Sequence, residues 1–197
     1  MDRISTFFLT TAVLALPLFG QGGALTPPGP PGPTMKSLDV VEPRTPLVTG
    51  APGVFVAGSG SIGISLPGSY YLTGNLTVTG GDGIIVGADR VTLDLLGHTV
   101  TSSAATATGA GVNVIGSNVS IFNGHIVGGT DYNSGASGDQ FTGPGFSRGI
   151  YASSSYHNIR IREISVQGCD LDGIYCGDLE SSLVAFCTVR IVGSVGI

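Results

Sequence analysis

The 197-residue sequence carries 33 glycines, only 11% charged residues and a formal charge of -5 at pH 7. That composition has too few charges for a solvated disordered chain and too many turn-forming residues for a helical bundle. With Lys36 as its one lysine and no run of basic residues, it also argues against nucleic acid, which needs a positive stripe to displace counterions.

The chain opens "MDRISTFFLTTAVLALPLFGQGGA". A short charged start, an apolar run from Phe7 to Phe19 and small residues at Gly22 and Ala24 read as a secretory signal peptide over residues 1–24. The run is shorter than the roughly 20 residues that span a bilayer. Export, with no membrane span left after cleavage, is therefore the expectation. Residues 25–33 are a Pro/Gly-rich spacer, with too few triplets for a collagen helix. Thr34 then offers an N-cap for a short helix with Leu38 and Val41 on one face and Pro43 as its stop. Residues 34–72 read as an N-terminal cap and lead-in, and residues 73–197 as the repeating body.

Within that body, four segments begin with glycine and an aliphatic residue: "GIIV" (83–86), "GVNV" (111–114), "GIYA" (149–152) and "GIYC" (173–176). A fifth opens at Gly196, giving glycine-to-glycine steps of 28, 38, 24 and 23 residues. A period in the twenties with strand-like alternation inside each copy marks a β-solenoid. The second column (Ile84, Val112, Ile150, Ile174) and the fourth (Val86, Val114, Ala152, Cys176) share one face and are expected inside. The third column (Ile85, Asn113, Tyr151, Tyr175) is expected outside. Second strands come from "VTLDL" (91–95), "VSIFN" (119–123) and "IRIRE" (159–163), and third strands from the surroundings of Val100, Ile126 and Val166. Three strands per coil, stacked about 4.8 Å apart, predict an all-β parallel β-helix. Because Ile197 is only the second residue of a new copy, further coils are expected beyond it.

"VTLDLLGHTV", "ISVQGCDLDGI" and "SSLVAFCTVRIVGSVGI" resemble coils of the right-handed parallel β-helix proteins of the pectin-lyase-like superfamily, in its secreted bacterial form. Leu96 stands where that group usually has Asn. The resemblance implies a right-handed coil and leaves activity open, since the superfamily includes lyases, hydrolases, epimerases, adhesins and inert scaffolds.

Candidate functional residues follow from the columns. Asp170 and Asp172, two apart before "GIYC", would be separated by about two 3.3 Å rises, near the roughly 6.5–9.5 Å spacing of inverting glycosidases. The Asn-Thr-Asp, Asp-Asp, Gly-His-Gly and Arg-Ile-Lys elements of polygalacturonases are absent, and Asp before Gly is ordinary turn chemistry. Solvated turn acids are expected here, with the catalytic pair as the alternative. His98 in "GHTV" and His125 in "GHIV" align between coils but lack a third ligand, so no metal site is expected. Cys169, Cys176 and Cys187 share no coil-length spacing; free structural thiols are expected, with Cys169 in a turn. Tyr151 and Tyr175 form an outward aromatic ladder. The insertion over 129–148, with Tyr132, Phe141, Phe146 and Arg148, is the densest mix of aromatic and polar groups and is read as a Gly-rich loop walling one side of the coil. Arg148 could instead pair with Asp172.

Two functions fit. One is a non-enzymatic surface or matrix module contacting extracellular polysaccharide through Tyr151, Tyr175, Arg148, Tyr132 and Phe141. The other is a pectinase-type lyase or glycoside hydrolase. The first is preferred, because each acid has a sufficient turn explanation and no cofactor is implied.

Overall fold

A computed structural model describes residues 43–135, 138–177 and 181–197; the leader, the spacer and the helix expected from Thr34 lie outside them. Among the described residues, seventeen strands follow one another with one 3-10 turn at Gly58–Gly60. The lower strands are β1 (Thr45–Pro46), β2 (Val54–Val56), β3 (Ile62–Ile64), β4 (Gly68–Tyr71) and β5 (Leu76–Val78). Above them come β6 (Ile84–Val86), β7 (Val91–Asp94), β8 (Thr99–Ser102), β9 (Ala110–Val114) and β10 (Ser120–Val127). The insertion holds β11 (Asp131–Gly135) and β12 (Gly138–Thr142). The upper coils are β13 (Arg148–Ala152), β14 (Arg160–Cys169), β15 (Ile174–Cys176), β16 (Leu183–Ala185) and β17 (Thr188–Val192).

Parallel pairing stacks these strands as a β-solenoid of about six turns. One ladder runs β1-β4-β7-β10-β14-β16 and the other β15-β13-β9-β6-β3-β2, with β2 antiparallel at its edge. The "GI" strands pair as the columns require: Ile84 with Val112, Val112 with Ile150, and Ile150 with Ile174. Within the stretch expected as lead-in, β3 and β4 already pair in parallel with β6 and β7, so the stacked register extends below residue 73.

The glycine that opens each copy has a steric cause. A methyl on Gly149 would lie 2.3 Å from Val166 Cγ1 and 2.4 Å from the carbonyl oxygen of Gly173 one coil on. Gly83, Gly111 and Gly173 are hemmed in the same way, each by a third-strand side chain and the next coil's carbonyl. At this corner the chain passes between the core and the rung above, and only a residue without Cβ fits. Past the corner, alternation fills the interior with Ile84, Leu93, Ile121, Ile150, Ile161 and their neighbours, all fully buried. Each such side chain contributes roughly 1.5–3 kcal/mol of apolar burial.

The interior register also corrects the histidine alignment. His125 pairs with Thr99, not His98, because Ile126 must stack inward on Val100. A slip of one residue would turn the whole strand inside out. The four-residue turn Leu95–His98 is matched one coil later by only Asn123 and Gly124, which shifts the similar-looking motifs by one.

The 129–148 insertion is solvent-accessible along most of its described length, but it is not an irregular loop. It folds as the antiparallel hairpin β11–β12, and its return limb drives Phe146 fully into the core. Backbone hydrogen bonds tie its base to coils on both sides: Gly145 N–H to Ala104 O at 2.9 Å, and Leu171 N–H to Ser147 O at 2.8 Å. Cys169, expected in a turn, instead ends β14 and is buried beside the same base.

Candidate functional site

Four of the residues singled out in the sequence meet on one outward strip. Residue Arg148 opens β13 and Asp172 precedes β15, so they occupy equivalent positions on successive coils. Arg148 Nε lies 3.0 Å from Asp172 Oδ2. Its guanidinium also stands 4.8 Å from the centre of the Tyr151 ring. Tyr151 pairs with Tyr175 in strand register, their ring centroids 5.4 Å apart and their planes inclined by 16°. Such a stacked pair adds about 0.5–1.5 kcal/mol beyond area burial. Since the rings contact each other and the guanidinium, a ligand meets chiefly their hydroxyl-bearing edges and the more exposed Tyr175.

Asp172 is only 6% exposed, which corrects the expectation of a solvated acid. Its Oδ1 accepts the backbone N–H of Val195 at 3.3 Å while Oδ2 holds Arg148. Asp82, three copies earlier in the same column, does the equivalent: Oδ1 accepts Ala110 N–H at 2.8 Å and Oδ2 accepts Asn113 Nδ2 at 2.8 Å. The acid before the "GI" strand thus caps the backbone of the next coil, a role any desolvated turn amide needs filled. Asp170 is half-buried, its backbone N–H donating to Phe146 O at 3.3 Å.

Tyr132 and Phe141 face each other across the hairpin, centroids 5.2 Å apart and planes inclined by 50°. Phe146, grouped with them by sequence, belongs to the core instead. All three cysteines are free. Burial pushes the Cys169 thiol up to about 12, with the Asp172 charge adding to the effect. Burial also raises Cys176, and neighbouring Cys187 raises it further. Cys169 and Cys176 are thereby held in the protonated, less nucleophilic form at neutral pH. Among the described residues no three His, Cys, Asp or Glu side chains gather as a metal site, and no helix is long and apolar enough to cross a membrane.

Sequence reasoning missed a second polar cluster. Asp94, buried on β7, accepts Leu96 N–H at 2.9 Å, Asn123 Nδ2 at 3.1 Å and Arg44 Nη1 at 3.0 Å. Arg44 also lies over Tyr71, and Arg162 over Phe122 with 4.4 Å to the ring centre. The signal that could have found the Arg162 contact is the alternation of "IRIRE", which places Arg160 and Arg162 outside opposite the inward Ile159 and Ile161.

The fold defines the class as a parallel β-solenoid, with a surface of stacked polar and aromatic rungs. No family model, curated protein or solved structure matches the chain.

Proposed function

We propose that this chain is an exported, non-catalytic β-helix module of the pectin-lyase-like type that contacts extracellular polysaccharide along the Arg148–Tyr151–Tyr175 strip. The observation that carries this reading is the engagement of Asp172. Both of its oxygens are committed, one to a guanidinium and one to a backbone amide, so it is poorly placed to exchange a proton with a substrate. An acid-base pair with Asp170 would first have to break the Arg148 ion pair. Stacked rungs of tyrosine and arginine instead give a flat, ordered surface suited to the hydroxyls of an extended glycan. The "TLDLLGHTV"-type coils and the leader-like start support export and the family assignment.

The test is binding of the full chain to a panel of neutral and acidic polysaccharides, with product release assayed in the same wells. Binding of at least one neutral polysaccharide that is lost in Tyr151→Ala/Tyr175→Ala, with no product formed, is the expected result. Product formation abolished by Asp172→Asn would replace this reading with a pectinase-type enzyme. Neutral-polysaccharide binding unaffected by the double substitution would refute the tyrosine strip as the contact.

A further inference from the structure

The ladder containing β7, β10 and β14 carries an outward face of its own, on a different sheet from Tyr151 and Tyr175. Immediately before these strands, Arg90, Asn118 and Asn158 stand in register, each with a left-handed φ of 56°, 59° and 55°. Asn158 Nδ2 donates to Asn118 Oδ1 at 2.9 Å, a rung-to-rung amide ladder. Two residues further along, Thr92, Ser120 and Arg160 form the next column. Thr92, Asn118, Ser120, Asn158 and Arg160 line a hollow of about 280 Å³, and Arg90 lies outside that lining, in register one coil below Asn118. A second hollow of about 380 Å³ shares Ser120 and Arg160 with it and continues over Arg162 to Phe186.

The charge on this face is unbalanced. Arg90 and Arg160 are both exposed, and neither guanidinium has a hydrogen-bond, ion-pair or ring partner among the described residues. Of the nearby acids, Asp94 is held by Arg44 and Glu163 lies 3.4 Å from Arg162, while Asp89 accepts only the neutral Ser117 N–H at 2.8 Å and leaves its charge unpaired, one carboxylate against two free guanidinium groups. Register sets Arg90 and Arg160 two coils apart, roughly 10 Å along the stack. Between them lie amide and hydroxyl rungs at every coil. Free guanidinium forks are built for carboxylate and sulfate oxygens, and the intervening groups for hydroxyls.

We propose that this face is a second binding site, an anion-selective groove for an acidic polysaccharide lying along the stacking direction. Acid groups of the chain sit on Arg90 and Arg160, and its hydroxyls on the Asn118–Asn158 ladder and Ser120. A single-stranded nucleic acid fits less well. Successive bases need a run of open ring faces, and here the Phe122 ring is covered by Arg162, which leaves Phe186 as a single open ring at the far end. The site goes beyond the tyrosine strip and does not depend on it.

The experiment titrates the full chain with carboxymethyl-dextran, dextran sulfate and neutral dextran of matched length, and with a single-stranded DNA oligonucleotide. Wild type is compared with Arg160→Ser, Arg90→Ser/Arg160→Ser and Tyr151→Ala/Tyr175→Ala, each checked for wild-type far-UV circular dichroism. At least one charged dextran should bind while neutral dextran does not, and added salt should weaken the binding. Arg160→Ser should weaken it about tenfold and the double arginine variant about a hundredfold, the two sites being separate. The tyrosine variant should bind the charged dextrans as wild type does, so failure of the tyrosine strip and failure of this groove are distinguishable. Arginine variants that bind like wild type, a wild type that binds neither charged dextran, or an oligonucleotide that binds more tightly than both would each overturn the proposal.

Discussion

Replacing Gly149 by alanine puts the strongest load on the account given for the repeat. The added methyl would lie 2.3 Å from Val166 Cγ1 and 2.4 Å from Gly173 O, both far inside contact distance. Val166 is fully buried and the carbonyl belongs to the backbone of the next rung, so neither can swing away. Overpacking of this kind costs about 1–3 kcal/mol, and two rigid obstacles place Gly149→Ala at the top of that range. Alanine also stiffens the unfolded chain, which returns about 0.4–1 kcal/mol. The net loss is then about 2 kcal/mol, a fall in Tm of roughly 4–8 °C for a chain of this length. Gly74→Ala is the matched control, because a methyl there meets no atom within 4 Å. It should be neutral or stabilising by up to about 1 kcal/mol. Urea unfolding followed by circular dichroism and tyrosine fluorescence measures both, with equal m-values required for comparison. If Gly149→Ala unfolds at or above the wild-type midpoint, the corner argument is wrong.

Other substitutions probe separate parts of the structure. Phe146→Ala should cost about 3–5 kcal/mol in urea unfolding, because it empties the fully buried anchor of the hairpin. Asp94→Ala should cost about 2–3 kcal/mol by the same measurement, since Leu96 N–H, Asn123 and Arg44 lose their shared acceptor. Leu96→Asn should raise stability by up to about 1 kcal/mol, read as a higher urea midpoint at unchanged m-value, because Leu96 holds a left-handed φ of 49° that asparagine tolerates better. The raised Cys169 thiol fixes an alkaline limit. Its contribution is fully present below the ordinary thiol value of 9.0 and is lost as pH rises toward about 12. Cys176 and Tyr70, also raised by burial, act in the same direction. Stability measured from pH 8 upward should therefore fall, and Cys169→Ala should flatten the part of that fall owed to this thiol.

Much of the architecture was legible in the sequence because a solenoid repeats its local problem. Glycine at the corner, an aliphatic residue two and four places along, and a second alternating strand recur with a period, and each recurrence tests the others. That determined the three-strand coil, the inward columns, the Tyr151–Tyr175 ladder and the Arg148–Asp172 neighbours. What the tertiary structure decided were matters of register and depth. Two extra turn residues in one coil separate His98 from His125, although their motifs look alike. Phe146 could be placed inside only once the hairpin was seen to return toward the core. The burial of Asp172 depended on a backbone amide 23 residues later. The basic face is the clearest case. Arg90 and Arg160 lie 70 positions apart in a sequence without a basic run, and only the stacking of coils brings them onto one face. Local periodicity fixes which way a side chain points, whereas its neighbours are set by the number of residues in every intervening turn.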